Sequence, residues 1–372
     1  LSRYCRSCGQ ELGAGAEWRL ARGSAGGSGY LKLPLRFQPN LTPVTPNLRL
    51  DRKITGQPVH GFGHLCFPVE GGEVVVVRES DLRQVAVCKS TSTEVHEIGL
   101  AGDSLLMAGN KGLESVELLP LLTRGIAQTA VIYPTPIIWG RAQTLTVLPD
   151  LGQVVVIGET TVAAVGPKGG KPIWSAQRPG RGGAAIIKAG QGVLVVEESG
   201  DYWSVDPVSG TRRWHRQMGR TIAMRAGISS WDHLVYLLDS DGLLTLVQAD
   251  RGGNYPTAHR FTRPYGIACN GRHVYVSSFL GLHRCSPMEA AGMQIGDHPL
   301  YSPAVITQGA VFVGTGHGAL MMADQGSERH QFKAGVQGEV VTTPVVTGRG
   351  VYVGSETGEV ALFRFAQDGG TV

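Results

Sequence analysis

The sequence predicts an all-β chain folded as a β-propeller of eight blades, with seven as the alternative count, behind a short cysteine-bearing amino-terminal arm. Three observations predict it. The first is a recurring hairpin, clearest in Val351-Tyr352-Val353-Gly354-Ser355 and Val311-Phe312-Val313-Gly314-Thr315, where a β-branched and aromatic run meets a polar turn. Glycine follows the first apolar position by seven residues at Gly358, Gly318, Gly281 and Gly242. The second is the period: starts at Val154, Val193, Val235, Val274, Val311 and Val351 lie 39, 42, 39, 37 and 40 residues apart, enough for four short strands per unit. The third is composition, with 53 glycines in 372 residues and 42% hydrophobic content, which suits many tight turns around a large core rather than a collagen-like repeat.

In chain order, Cys5 and Cys8 come first, in Tyr4-Cys5-Arg6-Ser7-Cys8-Gly9. Two thiolates at this spacing can share a zinc ion, which needs two further ligands. The segment resembles the second knuckle of a zinc ribbon, and that resemblance implies zinc at Cys5 and Cys8, completed by upstream residues or by another chain. Residues 1–12 are read as this partial knuckle and 13–29, rich in Gly, Ser and Ala, as a flexible linker. The propeller is assigned to 30–372. Its last unit leaves too little chain for an outer strand, so Tyr30–Phe37 is expected to close the ring by completing that blade. Prolines 39, 43, 46 and 58 predict an irregular crossing over 38–60.

The first two units are placed at Val74 and Leu105. The 49 residues from Leu105 to Val154 form the longest interval, and strands are expected at 130–133 and 144–148. Proline before an inner strand is expected at Thr135-Pro136, Ser302-Pro303 and Thr343-Pro344. Trp174, Trp214 and Phe332 each stand eight residues after a turn position, at Gly166, Asp206 and Asp324. They are expected to act as wedges between adjacent blades.

These units resemble the repeats of the quinoprotein alcohol dehydrogenase-like, or PQQ-like, β-propeller superfamily. The resemblance rests on Asp206, Gly210 and Trp214 and on the strand Val351–Ser355, and covers residues 64–372. It implies eight blades. It leaves activity open, because that superfamily includes cofactor-bearing dehydrogenases, outer-membrane assembly scaffolds and proteins that bind no quinone.

Catalytic motifs are lacking in the sequence. Neither His-Glu-Xaa-Xaa-His nor Gly-Xaa-Ser-Xaa-Gly occurs. The acidic pairs Glu197-Glu198 and Asp239-Ser240-Asp241 fall in hairpin turns, where solvated side chains are expected, and a calcium site would need several oxygen ligands. PQQ is therefore not expected. The favoured function is a non-enzymatic scaffold that binds a protein or peptide partner within a larger assembly. A PQQ-dependent oxidoreductase, or a nucleic-acid-associated protein using its basic arm, is the alternative. That arm carries the charge asymmetry: residues 1–63 hold nine Lys or Arg against three Asp or Glu. Two stretches could meet a partner. One is Arg212, Arg213, His215 and Arg216; the other is Tyr255, His259, Arg260, Phe261, Arg263 and Tyr265. No apolar run reaches membrane-spanning length. With reduced thiols and no export segment in view, the cytoplasm is the expected compartment.

Overall fold

The inner strands of nearly every blade are apolar and buried on both faces while the outer strands are largely exposed, so no single sheet can bury its own surface, and the sheets must stack. In the computed structural model they stack as eight. The structure describes Leu31, Leu33 and Leu35 and residues 41–118, 130–132, 135–169, 171–180, 182–224, 227–287, 289 and 292–365. The zinc-ribbon-like knuckle with Cys5 and Cys8 and the linker at 13–29 lie outside the described residues.

Blade 1 is built from Val59–Gly61, His64–Val69, Glu73–Arg78 and Gln84–Lys89, from the inner strand outward. Blade 2 follows with Val95–Ala101, Ser104–Gly109, Gly112–Glu117 and Thr135–Trp139. Blade 3 is Ala142–Leu148, Gln153–Gly158, Thr161–Val165 and Trp174–Gln177, and blade 4 is Ala184–Ala189, Gly192–Glu197, Asp201–Val205 and Arg212–Gln217. Blade 5 comprises Ser229–Trp231, Leu234–Leu238, Leu243–Gln248 and Asn254–Arg260; blade 6 comprises Pro264–Cys269, Val274–Ser278, Gly281–Cys285 and Gly292–Ile295. Blade 7 is Val305–Ile306, Ala310–Gly314, Ala319–Asp324 and His330–Ala334. Blade 8 takes Val345–Thr347, Gly350–Gly354 and Glu359–Phe365 from the end of the chain and Leu41–Arg49 from its beginning.

This last pairing closes the ring. Leu41 lies opposite Phe365 and Arg49 opposite Glu359 in an antiparallel ladder. The closing strand is thus later than the 30–37 expected from sequence. Prolines 43 and 46 had argued against a strand here, but an outermost strand has one unpaired edge, where a missing N–H costs no ladder bond. Leu31, Leu33 and Leu35 instead run beside the inner hairpin of blade 7: Leu31 N donates to Ile306 O, and Leu33 O and Leu35 O accept from Gln308 N and Gly309 N.

The long interval also resolves. Ala130–Ile132 adds a fifth strand, parallel to Gln84–Lys89, at the edge of blade 1. Thr135–Trp139 is then the outer strand of blade 2, not the inner strand that Pro136 suggested. Pro303 and Pro344 do precede inner strands. Val74 marks the third strand of blade 1, whereas the other seven starts mark second strands. The equivalent start in blade 1 is Leu65, with Gly72 seven residues on.

Because side chains alternate along a strand, each apolar run feeds two interfaces. In Val74–Val77, Val74 and Val76 pack toward blade 2, and Val75 and Val77 toward blade 8. The core is therefore a set of slabs between neighbouring blades. At the closing seam, blades 7, 8 and 1 share one cluster that includes Phe312, Tyr352, Phe363 and Phe67.

Candidate functional site

A four-stranded blade presents its turns on two sides. The turn between strands two and three and the crossing to the next blade share one face; the other two turns share the opposite face. On the crossing face the hairpin glycine has a clear purpose. Gly242 has φ 78°, and a Cβ there would sit 1.9 Å from Phe261 O on the chain leaving the same blade. Phe261 N donates to Gly242 O at 2.9 Å, so turn and crossing are bonded together. Gly72, Gly200, Gly318 and Gly358 meet their own crossings in the same way.

In blades 5 to 8 the residue four after the start caps the turn from inside. Asp239 Oδ1 accepts from Asp241 N and Leu243 N, and Thr315 Oγ1 accepts from His317 N and Ala319 N. Glu197 and Asp239 at this position are both 1% exposed, so the solvated side chains expected in these turns hold for Glu198, Ser240 and Asp241 but are corrected for these two carboxylates. Each carboxylate meets an arginine from the crossing before it. Arg178 pairs with Glu197 and also donates to Gly158 O, Glu159 O and Gly182 O. Arg220 reaches Asp239 at 3.1 Å. Both pairs are 19 residues apart in sequence, a repeat-locked signal that could have revealed them.

Between blades 5 and 7 this face becomes aromatic. Arg263, in the crossing and at φ 47°, lies over the Phe279 ring at 5.7 Å. Phe279 and Leu280 tip the blade 6 hairpin and are 38% and 44% exposed. Tyr265 meets Tyr301 edge to face at 4.9 Å. Tyr301 also covers Gly316, where a Cβ would come within 2.2 Å of its ring. Burial, with the negative charge of Glu339, holds the Tyr301 hydroxyl above its ordinary pKa. It therefore stays a neutral donor at physiological pH. Phe279, Leu280 and Tyr301 had no distinguishing signal in the sequence, since each sits alone in an ordinary repeat position.

The sequence-selected residues divide around this cluster. Arg263 and Tyr265 belong to it, Phe261 is buried between blades 5 and 6, and His259 is 7% exposed with Nε2 3.1 Å from Ser286 O. Tyr255 and Arg260 lie on the outer strand of blade 5, Tyr255 52% exposed. Arg212, Arg213, His215 and Arg216 line the outer strand of blade 4 without forming one positive patch. Arg212 lies over Trp203 at 4.8 Å, Arg213 pairs with Asp206 at 2.6 Å and His215 with Asp201 at 2.9 Å. Arg216 Nη1 donates to His215 O. The Arg213 guanidinium and backbone donors from Ser209 hold the Asp206 carboxyl down to about 2.

Trp174 and Trp214 repeat one geometry. Trp174 Nε1 donates to Pro207 O at 2.8 Å and Trp214 Nε1 to Ala249 O at 2.9 Å, each ring lying against a turn of the next blade. Phe332 differs. It pairs with Met321, where Trp174 pairs with Ala164 and Trp214 with Ser204. This puts Phe332 on the opposite side of its sheet, against blade 6 and 4.4 Å from His298. Equal spacing in sequence did not mean equal register, because the preceding turns differ in length.

On the opposite face, at the seam of blades 8 and 1, Glu79 is held by Thr347 Oγ1 at 2.7 Å and by His60 Nε2 at 3.1 Å, with Arg349 Nε 4.0 Å away. Burial raises the Glu79 pKa, but the His60 and Thr347 bonds and the nearby positive charge outweigh it and leave it below the ordinary value.

This ring of eight blades, seven of four strands and one of five, defines a PQQ-like propeller. Residues 137–258 and 288–372, over half of the chain, match the family described as outer membrane protein assembly factor BamB, and the chain belongs to that family. Comparison with curated proteins gives no significant match. Among solved structures, BamB from Moraxella catarrhalis aligns at TM-score 0.65 and 17% identity, over 88% of this chain and 100% of that one. A quinohemoprotein alcohol dehydrogenase from Pseudomonas putida HK5 aligns at 0.68 and 11%, over 96% and 81%. A europium-containing methanol dehydrogenase aligns at 0.63 and 10%, over 93% and 89%.

Three sequence expectations change. Cytoplasmic placement is overturned by the likeness to BamB, an outer membrane protein assembly factor. The exclusion of PQQ falls because two dehydrogenases share this ring over most of their length. Zinc is withdrawn as well: among the described residues no group of three or more His, Cys, Asp or Glu could hold a metal, and two thiolates supply only half of a zinc site.

Proposed function

We propose that this chain is a non-enzymatic scaffold that binds a protein partner within an assembly, and that the assembly serves outer membrane proteins, as the family description suggests. The observation that carries the reading is the crossing-face cluster. Phe279 and Leu280 are exposed on a braced hairpin, with Arg263 stacked on Phe279 and the Tyr265–Tyr301 pair nearby. Aromatic residues and arginine are the side chains that most often dominate protein interfaces. They lose little freedom on binding when already packed against each other. Arg260, at the crossing-face end of the outer strand of blade 5, would form part of the polar rim of such a contact.

The test is cross-linking of the full chain in its native cell envelope, comparing wild type with the triple substitution R263A, F279A and L280A. A stoichiometric partner lost from the variant, with melting unchanged, supports the reading. A partner retained at full yield removes this face from the function.

The dehydrogenase-like fold favours a second reading, a quinone-dependent oxidoreductase. The quinone would supply electron acceptance when bound. Arg263 would supply positive charge, and Tyr265, Phe279 and Tyr301 planar contacts. Mass spectrometry of small molecules released from the native protein separates the two readings.

A further inference from the structure

The face opposite the crossings holds a cavity of about 660 Å3 at the seam where the last blade meets the first, within the usual range for small-ligand sites. Glu79 and Ser80 enter it from the third-to-outer turn of blade 1, Arg349 from the first turn of blade 8, and Leu362, Arg364 and Phe365 from the end of that blade's third strand. The carboxylate is already committed, with Thr347 on one oxygen and His60 on the other. The guanidiniums are not. Arg349 is 60% exposed and stands 4.0 Å from Glu79, beyond hydrogen-bond reach. Arg364 is exposed and has no side-chain partner among the described residues. Two cations against one engaged anion leave room for a single negative charge, since Glu79 would repel a second. Leu362 and Phe365 add an apolar wall.

We propose that this seam cavity binds a carboxylate joined to an apolar body, the carboxylate on Arg349 and Arg364 and the apolar part against Leu362 and Phe365. Arginine suits the role because its planar fork matches a carboxylate. A free organic acid and the carboxyl terminus of a peptide present the same chemistry. Because the cavity draws on blades 8 and 1, its ligand would bridge the closure and stabilise the ring by linkage. The proposal concerns the face opposite the partner cluster and does not depend on the scaffold reading.

Calorimetry on the full chain tests it with three probes: octanoate, a short peptide ending in free phenylalanine, and the same peptide amidated. Saturable one-to-one binding of octanoate or of the free peptide is expected. The double substitution R349Q and R364Q should weaken it by about tenfold or more, as loss of charge-assisted bonds predicts, while the unliganded protein melts as wild type. Octanoate alone binding identifies a small-acid site; the free peptide binding far above the amide identifies a chain terminus. No saturable binding of octanoate or the free peptide at millimolar concentration, an amide bound equally well, or an unchanged affinity in the double variant would each overturn it.

Discussion

Arg178 and Glu197 join blade 3 to blade 4 through an ion pair whose side chains are 0% and 1% exposed. Three backbone carbonyls take the rest of the guanidinium's hydrogen bonds. Removing one partner strands a buried charge, whereas replacing both with apolar groups need not. Glu197→Ala is therefore expected to cost about 3–5 kcal/mol, and the double change R178M with E197L much less. Denaturant unfolding followed by circular dichroism reads both. In the equivalent pair Arg220 is 49% exposed and Asp239 1%, and Asp239 keeps backbone donors from Asp241 N and Leu243 N, so Arg220→Ala should cost less than Glu197→Ala. An equal loss at both sites would mean that burial does not set the difference.

The seam carboxylate makes stability depend on acid. Glu79 has a folded pKa below its ordinary 4.5, so its contribution is full above that value and lost as pH falls through the lower folded value. Thermal melts from pH 7 to pH 3 should show wild type losing more stability below about pH 4.5 than Glu79→Gln. Parallel curves would deny the seam its ionised carboxylate.

Trp174 fills the gap between blades 3 and 4 and anchors its indole on Pro207 O. Trp174→Ala should cost about 3–5 kcal/mol through the cavity it leaves. In Trp174→Phe the ring largely remains, and the lost hydrogen bond should cost about 1 kcal/mol beyond the packing change. Urea unfolding of the two variants checks the ranking.

Leu41 is 2% exposed and pairs with Phe365 in the closing strand. Leu41→Ala is expected to cost about 2–4 kcal/mol, a large effect for a residue so early in the chain. If closure contributed little, the variant would melt with wild type.

Much of the ring was legible because propeller repeats are written locally. The hairpin glycine, the apolar start and the turn cap lie within eight residues of one another, and each answers to backbone sterics or hydrogen bonding inside one blade. Val154 through Val351 were readable for that reason. Blade 1 was misplaced by one strand because His64–Val69 carries Cys66 and Pro68 in place of the Val-Tyr-Val form. Leu41–Arg49 was overlooked because its prolines are tolerable only at an edge, and being an edge is a tertiary fact.

The candidate site was less legible for the same reason. Arg263 and Tyr265 stood out in sequence, but their partners Phe279 and Tyr301 come from a hairpin and a crossing in other parts of the chain. Glu79 and Arg349 are 270 residues apart and meet only because the ring closes. By itself the sequence determined the blade, its repeat and its all-β class, since these follow from short-range periodicity and turn chemistry. Only the tertiary structure decided which strand closes the ring, which carboxylates are buried and which side chains share a face. Those depend on contacts between blades, and local spacing carries no record of them.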